Sequence, residues 1–397
     1  MYNANVGSST HPDVSRAGAE AAAAAKQGLG DIKLAFVYSG VQYDQGLLLE
    51  SVASELPGVP LVGNTSFTGV ITPKGYISSD NGFVGVLCLA GGGLTVGVAG
   101  SPKDGADARA VGAKVAKAAL AAAGKPTDGK IEAPDFFYMA ANPGEEEFFL
   151  KGIEDVIGRA PLFGGSAADN TIAGEWSLFT GGMVAAEGVA VAFFWDSAPG
   201  AFTNLFTGAY AETEHYGVIT KVRGNRELVE IDGVPAIKKY AEWRGFTELD
   251  PLLGGNLLVT TITNPLGVKD RLGELTAIRH PMNGGADLSM AIGANLAEKT
   301  TVIMMDASVD DLIRSAYETV SLLIEKHGRK PAALHLVHCG GRRAGIGGRI
   351  EEVAAGIKAA AGDIPFIVEF TFGEYGYEDD GNNTTGGLML SFTALGA

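Results

Sequence analysis

The chain has 397 residues, 46% of them hydrophobic and 19% charged, with a formal net charge of −16. That length holds two or three domains with sizeable cores. The acidity argues against nucleic-acid or anionic-membrane partners, which need clustered Lys and Arg.

Two cysteines, Cys88 and Cys339, argue against a disulfide framework and for a reducing compartment. No basic segment leads into an apolar core at the N-terminus, so no signal peptide is read. No run approaches the ~20 uncharged apolar residues of a membrane span. A cytoplasmic protein without membrane insertion is expected. The 57 glycines, about twice the usual share of ~7%, cluster at strand ends and imply many tight turns.

Three stretches share one order of elements, which reads as an internal repeat. In the first, an Ala-rich helix over 15–26 leads to a strand over 34–38 and a turn at 39–42. A helix carrying Leu48, Val52 and Leu56 follows, then a strand over 59–62 and the polar turn Gly63-Asn64-Thr65-Ser66; a strand over 83–89 closes the copy. The second copy has a strand over 94–99, a helix over 107–123, a strand over 136–139 and a helix over 145–158. A strand over 160–163 runs into Gly164-Gly165-Ser166, and 188–195 closes it.

The third copy is read as starting with a strand over 301–305, and Ser308 with Asp311 reads as a capping box for the next helix. A strand over 333–339 breaks into a Gly/Arg-rich loop at 340–345. Ile346, Ile350, Val353 and Ile357 then mark one face of a helix, and a strand over 364–370 ends at Phe372-Gly373-Glu374. A strand over 387–392 closes the copy. In each copy a proline (Pro60, Pro161 or Pro365) precedes the strand that ends in the polar turn.

Residues 200–299 differ. Thr/Val/Ile runs alternate with Gly/Asn turns, with a short helix near 235–243. The apolar stretch 253–266 reads as β structure because Asn256, Thr260, Thr261, Thr263 and Asn264 interrupt it. The expected organisation is α/β, with similar-sized halves at 1–199 and 200–397. It has three repeated strand-helix-strand units plus an inserted β-rich section, about 200–299, that covers a crevice.

Cys339-Gly340-Gly341-Arg342 ahead of a Glu-containing helix, then Gly373-Glu374, resembles the C-terminal signature of the FIST family. Phe163-Gly164-Gly165-Ser166-Ala167-Ala168-Asp169-Asn170 resembles the signature of its N-terminal half. Gly217-Val218-Ile219-Thr220-Lys221 and Ile231-Asp232-Gly233 stand between them. The resemblance covers nearly the whole chain and implies a stand-alone pair of FIST N-like and FIST C-like halves. It departs at 63–67, where a more compact Ser/Thr-rich turn is usual. It implies a prokaryotic sensory, signal-transduction module that binds a small ligand. Some members resemble haem-binding nitric-oxide sensors, so the resemblance alone admits haem; no residue pattern selects an axial ligand, and no other cofactor is expected.

In a parallel strand-helix-strand unit both strand-end turns emerge at one sheet edge. That rule gathers a ligand-binding set: Gly164, Gly165, Ser166, Asp169 and Asn170, with Asn64, Ser66, Arg342, Arg343 and Glu374. Glycines let backbone amides approach a ligand, and a guanidinium takes a carboxylate. The expected ligand is small and polar or anionic, in a crevice lined by Cys339, Arg342, Arg343 and Glu374. The plainer reading is strand-end turns with capping side chains.

An enzyme is the alternative, a hydrolase or lyase acting on a small carbonyl or carboxylate compound. Glu374 would be its acid or base, and Cys339, beside Arg342, its thiolate nucleophile rather than an inert packed thiol. His335 and His338 alternate across a strand and cannot share one ion, so no metal is expected. Ser166 lacks the glycine two places on that a nucleophile elbow needs, Ala168 standing there. Output is expected through a partner protein or a homo-oligomer.

Overall fold

The computed structural model describes residues 2–196, 200–269, 276–377 and 383–396, and its plan is a threefold repeat. Unit one comprises β1 (Asn3–Ser9), α1 (Val14–Ala25), β2 (Ile32–Ser39), α2 (Gln45–Glu55) and β3 (Leu61–Thr65). A hairpin of β4 (Val70–Thr72) and β5 (Gly75–Ile77) follows, then β6 (Val84–Ala90). Unit two repeats this with β7 (Leu94–Pro102), α3 (Ala108–Ala122), β8 (Phe136–Ala141), α4 (Glu146–Ile157) and β9 (Leu162–Ser166). Its hairpin is β10 (Leu178–Thr180) with β11 (Met183–Ala185), and β12 (Gly188–Asp196) closes it.

Unit three opens with β13 (Phe202–Thr207) and is then interrupted. The insertion holds β14 (Ala211–Arg223), β15 (Glu227–Ile231), β16 (Val234–Pro235), α5 (Ala236–Arg244) and α6 (Leu258–Thr261). It ends with β17 (Leu266–Lys269), β18 (Thr276–Arg279), β19 (Pro281–Gly284), β20 (Met290–Ile292) and β21 (Thr301–Asp306). The unit resumes with α7 (Val309–His327), β22 (Ala333–Cys339), α8 (Gly340–Ile346), α9 (Ile350–Ala361) and β23 (Phe366–Thr371). The hairpin β24 (Glu374–Tyr377) with β25 (Asn383–Gly386) and the strand β26 (Leu390–Leu395) complete it.

Local chemistry sets the element boundaries. Asp13, Asp44 and Asp107 cap α1, α2 and α3, each carboxylate accepting the N–H three residues on. The capping box expected at Ser308 and Asp311 starts α7. The three prolines share one task. The carbonyls of Pro60, Pro161 and Pro365 accept N–H from Ala35, Phe137 and Leu334 at 3.0, 2.9 and 2.9 Å. That sets the register of the parallel pairs β2–β3, β8–β9 and β22–β23.

The sheet of each unit is finished by another unit. The hairpin of unit two adds to β3, that of unit three to β9, and that of unit one to β23. The turns behind those strands then close a ring. Phe67 N–H donates to Phe370 O, Ala168 N–H to Thr65 O, and Phe372 N–H to Ser166 O, at 2.9, 2.9 and 3.1 Å. Inside, Leu34, Phe36, Phe136, Phe163, Ala333 and Ile367 from all three units form one core. Outside, the helices of each unit cover their own sheet.

Several expectations need correction. The first strand of unit three is β13, which pairs with β26, whereas β21 pairs with β14 and β17 inside the insertion. Both are apolar strands ahead of α7, so only pairing separates them. Residues 340–345 are helical, within α8, and the chain breaks later, at Gly347 with φ +59°. The stretch 253–266 is mostly turns and the short α6 rather than strand. The proposed join at 199–200 falls partly on Pro199, outside the described residues. Among the described residues no helix is long and apolar enough to cross a membrane.

The exchange of hairpins makes a prediction. Residues 1–196 expressed alone lack the hairpin that finishes their β9 sheet and two of the three ring bonds. They are expected to show no cooperative urea transition by circular dichroism; a sharp two-state transition in that fragment would refute the interdependence of the units.

Candidate functional site

One residue from each unit meets on the axis of the ring. Phe36, Tyr138 and His335 follow the three proline-bonded positions. Their ring centroids lie 5.2 Å (Phe36–Tyr138), 4.7 Å (Phe36–His335) and 5.4 Å (Tyr138–His335) apart. Polar atoms are threaded through this core. Tyr38 Oη contacts His335 Nε2 and lies 3.3 Å from Tyr138 Oη. Tyr138 Oη donates to Asn64 Oδ1 at 2.8 Å, and Asn64 Nδ2 donates to Glu369 Oε2 at 2.9 Å. Burial pushes the Glu369 carboxyl up to about 8, against the bonds from Asn64 and the two tyrosines. It holds His335 neutral, down to about 3. These groups are fully enclosed.

A cavity of about 360 Å³ lies at the strand-end edge, on the other side of the turns. Phe67 and Phe372 rise into it from the turns after β3 and β23, and Cys339, Gly340 and Gly341 from the end of β22. Pro143, Gly144 and Glu146 come from the turn into α4, and Ile172 and Trp176 from the loop after β9. The insertion supplies the opposite wall with Arg226, Asn256, Leu258, Ile262, His280 and Met282. It therefore does cover the crevice.

Among the residues singled out in the sequence, Cys339 lines this cavity. Its Sγ accepts N–H from Gly341 and Leu388, both at 3.2 Å. Burial, and then the neighbouring Glu374 carboxyl, lift the thiol well above its ordinary value, opposite to the expected thiolate. Glu374 is fully buried. It accepts from Thr371 Oγ1 and Met389 N–H, both at 3.0 Å, and burial pushes it up to about 8.

Arg342 and Arg343 do not join them. Arg342 turns into α7, donating to Leu312 O at 2.9 Å and Ser315 Oγ at 2.5 Å, with Nε and Nη1 buried and unbonded among the described residues. Arg343 packs over the Tyr76 ring and bonds its hydroxyl at 3.1 Å. The helical twist of α8, where a flexible loop was expected, sends both side chains away from the cavity.

The remaining members of the set build the frame. A Cβ on Gly164 would stand 2.0 Å from Met139 O, and one on Gly165 2.6 Å from Thr371 Cγ2, so close strand packing uses both glycines. Ser166 Oγ pairs with Tyr375 Oη at 2.6 Å, and Ser66 Oγ donates to Gly69 O at 2.7 Å. Asn170 Oδ1 accepts from Thr68 N–H at 2.8 Å. Asn64 belongs to the Glu369 cluster. Asp169 is buried and accepts backbone N–H from Thr171, Ile172, Ala173, Gly174 and Glu175. It thereby shapes the loop that carries Ile172 and Trp176. Among the described residues no group of three or more His, Cys, Asp or Glu side chains is placed to hold a metal ion.

Sequence reasoning missed the polar end of the cavity. Glu146, in the first turn of α4, is almost fully buried and meets Arg226 of the insertion at 3.0 Å, while Glu147 holds the same Nη2 at 2.5 Å. Burial, reinforced by Glu147 and opposed by Arg226, pushes Glu146 up to about 7. The pairing joins residues about 80 apart in a polar, Gly-rich background, and no local pattern marks it. His280 is buried as well, Nε2 lies 3.2 Å from Leu258 O, and burial lowers its value to about 4.

The FIST N domain matches residues 33–234 and the FIST C domain residues 236–377. The chain belongs to the FIST family. FIST domains are in general ligand-binding signalling domains. The join of the two FIST matches falls inside the insertion rather than between units. No curated protein matches the chain. Among solved structures, cyanuric acid hydrolase from A. caulinodans is similar at 14% identity and TM-score 0.33, with both chains covered in full. A second cyanuric acid hydrolase structure gives 12% and 0.34, again over both whole chains. PurLQS from Thermotoga maritima gives 12% and 0.24, with 72% of that chain covered. Likeness of this order says nothing about activity in this FIST chain.

The buried carboxyls set a pH dependence of stability. Glu369 and Glu374 hold protons more tightly folded than unfolded. Their contribution is full below about 4.5 and is lost as pH rises toward 8. His335, His338 and His280 sit below the ordinary 6.5, so folding gains from them as pH rises to that value. The opposing trends overlap below pH 6.5. Above it the carboxyls act alone, with Glu146 adding up to about 7. From pH 6.5 to 8 the unfolding free energy is expected to fall by up to about 1.4 kcal/mol per pH unit for each carboxyl. Glu369→Gln should remove about half of that slope. Urea midpoints at the two pH values measure it, and an unchanged slope in the variant contradicts the assignment.

Proposed function

We propose that the chain is a cytoplasmic sensory protein that takes up a small molecule in the cavity between the strand-end turns and the insertion. It passes the signal to a partner protein or through self-association. The observation that carries this reading is the cavity itself. Its volume falls in the range of small-molecule sites, roughly 300–1,000 Å³. Its walls are mainly apolar, from Phe67, Trp176, Ile262, Met282 and Phe372, with a few polar groups at Glu146, Arg226 and His280. That composition fits a ligand with an apolar body and a small polar end better than the wholly polar or anionic one expected from the turns.

Ala344 lines the cavity and is exposed on α8, so an indole there fills space without disturbing the core. Native mass spectrometry of the isolated protein is expected to detect a co-purifying small molecule. Ala344→Trp should cut its retained amount by about 10-fold or more, equivalent to ~1.4 kcal/mol, with the thermal midpoint nearly unmoved. Full retention in that variant contradicts the placement.

One observation favours a second reading, the enzyme. Cys339 Sγ faces the cavity under two backbone N–H groups with Glu374 beside it. There the thiol would add to a carbonyl carbon once Glu374 is ionised, above about pH 8, its proton passing to that carboxylate as the C=O π electrons move onto the oxygen as an oxyanion. For a binding protein, the molecule recovered from the cavity is expected unchanged after incubation, in the parent as in Glu374→Gln. Conversion by the parent that drops roughly 10²–10⁴-fold in Glu374→Gln, with affinity kept, would establish the enzyme instead.

A further inference from the structure

Resting on that reading of the cavity, we propose that its ligand is a small organic ammonium. An apolar body would lie against the aromatic wall and the cationic nitrogen against Glu146. The first observation is how the charges at the polar end are spent. Arg226 is the one cation on the cavity wall among the described residues. Its Nη2 is divided between Glu146 and Glu147, Nη1 donates to Gly293 O at 3.1 Å, and Nε lies 3.4 Å from Asn295 Oδ1. A guanidinium so engaged has no fork left for a carboxylate or phosphate ligand. Two carboxylates against one guanidinium leave that end formally one negative charge in excess.

The second observation is an open acceptor. Glu146 is 3% exposed. Its Oε2 accepts Gly144 N–H at 2.6 Å and meets Arg226, and the carboxylate also takes a bond from its own backbone N–H, but Oε1 has no side-chain partner among the described residues. A Cβ on Gly373 would lie 3.4 Å from Oε1, which places that oxygen against the turn carrying Phe372. Glu147, by contrast, is filled by Arg226, Asn295 N–H at 3.1 Å and Thr385 Oγ1 at 3.4 Å. A buried carboxylate with an oxygen that meets no side-chain donor is stabilised by a donor that brings positive charge.

The third observation is the ring cluster beside it. Phe372 stands between Phe67 and Trp176, with centroids 5.7 and 6.1 Å away, and all three line the cavity. Aromatic faces grouped around an apolar space attract ammonium groups through their quadrupoles. His280 adds a further acceptor. Its Nε2 faces the Leu258 carbonyl and so carries the proton, leaving Nδ1 with a lone pair.

Three probes of one shape read the charge directly: 2-phenylethylammonium, 2-phenylethanol and 3-phenylpropanoate. They are titrated calorimetrically at pH 7.5 and low salt into the parent, with Trp176 emission as a second signal. The ammonium is expected to bind about 10-fold tighter than the alcohol, and the carboxylate about 10-fold weaker, the size of a charge-assisted bond gained or opposed. Glu146→Gln should remove the preference for the ammonium and leave the alcohol within about twofold.

The probe series in the parent needs no variant to fold. Equal or tighter binding of the carboxylate overturns the ammonium proposal, as does a preference that survives Glu146→Gln. If the alcohol binds, is expelled by Ala344→Trp, and is not outdone by the ammonium, the cavity stands and the ligand class falls. If none of the three binds, both fall.

Discussion

Three backbone hydrogen bonds hold the arrangement together. Phe67, Ala168 and Phe372 each donate to a strand end of another unit, and the donors run round the ring in one direction. Backbone groups at a buried strand end must find partners, and here each unit finds one in a neighbouring unit. The exchanged hairpins obey the same rule, since each covers a strand edge that would otherwise be open. The cavity inherits its position from this ring. Phe67 and Phe372 are two of the three donors, so the aromatic wall stands where the units meet.

The two faces of the ring have opposite chemistry. On the inner side, Tyr38, Tyr138, His335, Asn64 and Glu369 bond to one another and are sealed from solvent, with His335 Nδ1 left without a hydrogen-bond partner among the described residues. Such a network fixes one packing of three similar units and costs stability wherever it is charged. On the outer side the polar groups are few. The insertion after β13 leaves the ring untouched and contributes Arg226, His280 and Ile262 to the cavity. The repeat supplies a frame, and the interruption of one copy supplies a roof.

Much of the frame was legible because it rests on local signals. The apolar periodicity around Leu48 and Ile350, the capping box at Ser308 and the three prolines all report short-range chemistry, and the helices and parallel pairs follow. The exchanged hairpins were not legible. Strands such as Val70–Thr72 and Met183–Ala185 are too short to carry a period, and their partners lie in other units. The site was legible only as an edge. Ser166, Asp169 and Asn64 do gather there, yet what decides whether a side chain faces the cavity is the local turn of the backbone. Arg342 looked like a clamp in the sequence, and one helical turn in α8 directs it to Ser315 instead. Glu146 carried no signal because its partner, Arg226, arrives from the insertion.

The carboxylate of Asp169 has a consequence for how a ligand arrives. Five backbone N–H groups from Thr171 to Glu175 converge on it, so the loop bearing Ile172 and Trp176 is tied to a single buried anchor. A loop held that way has surrendered its conformational freedom during folding, not during binding. The wall over the cavity is therefore a template, and recognition there is a matter of fit to a standing shape. A ligand that needs the wall to move must first break a carboxylate out of its nest, which sets a steep threshold against molecules of the wrong outline.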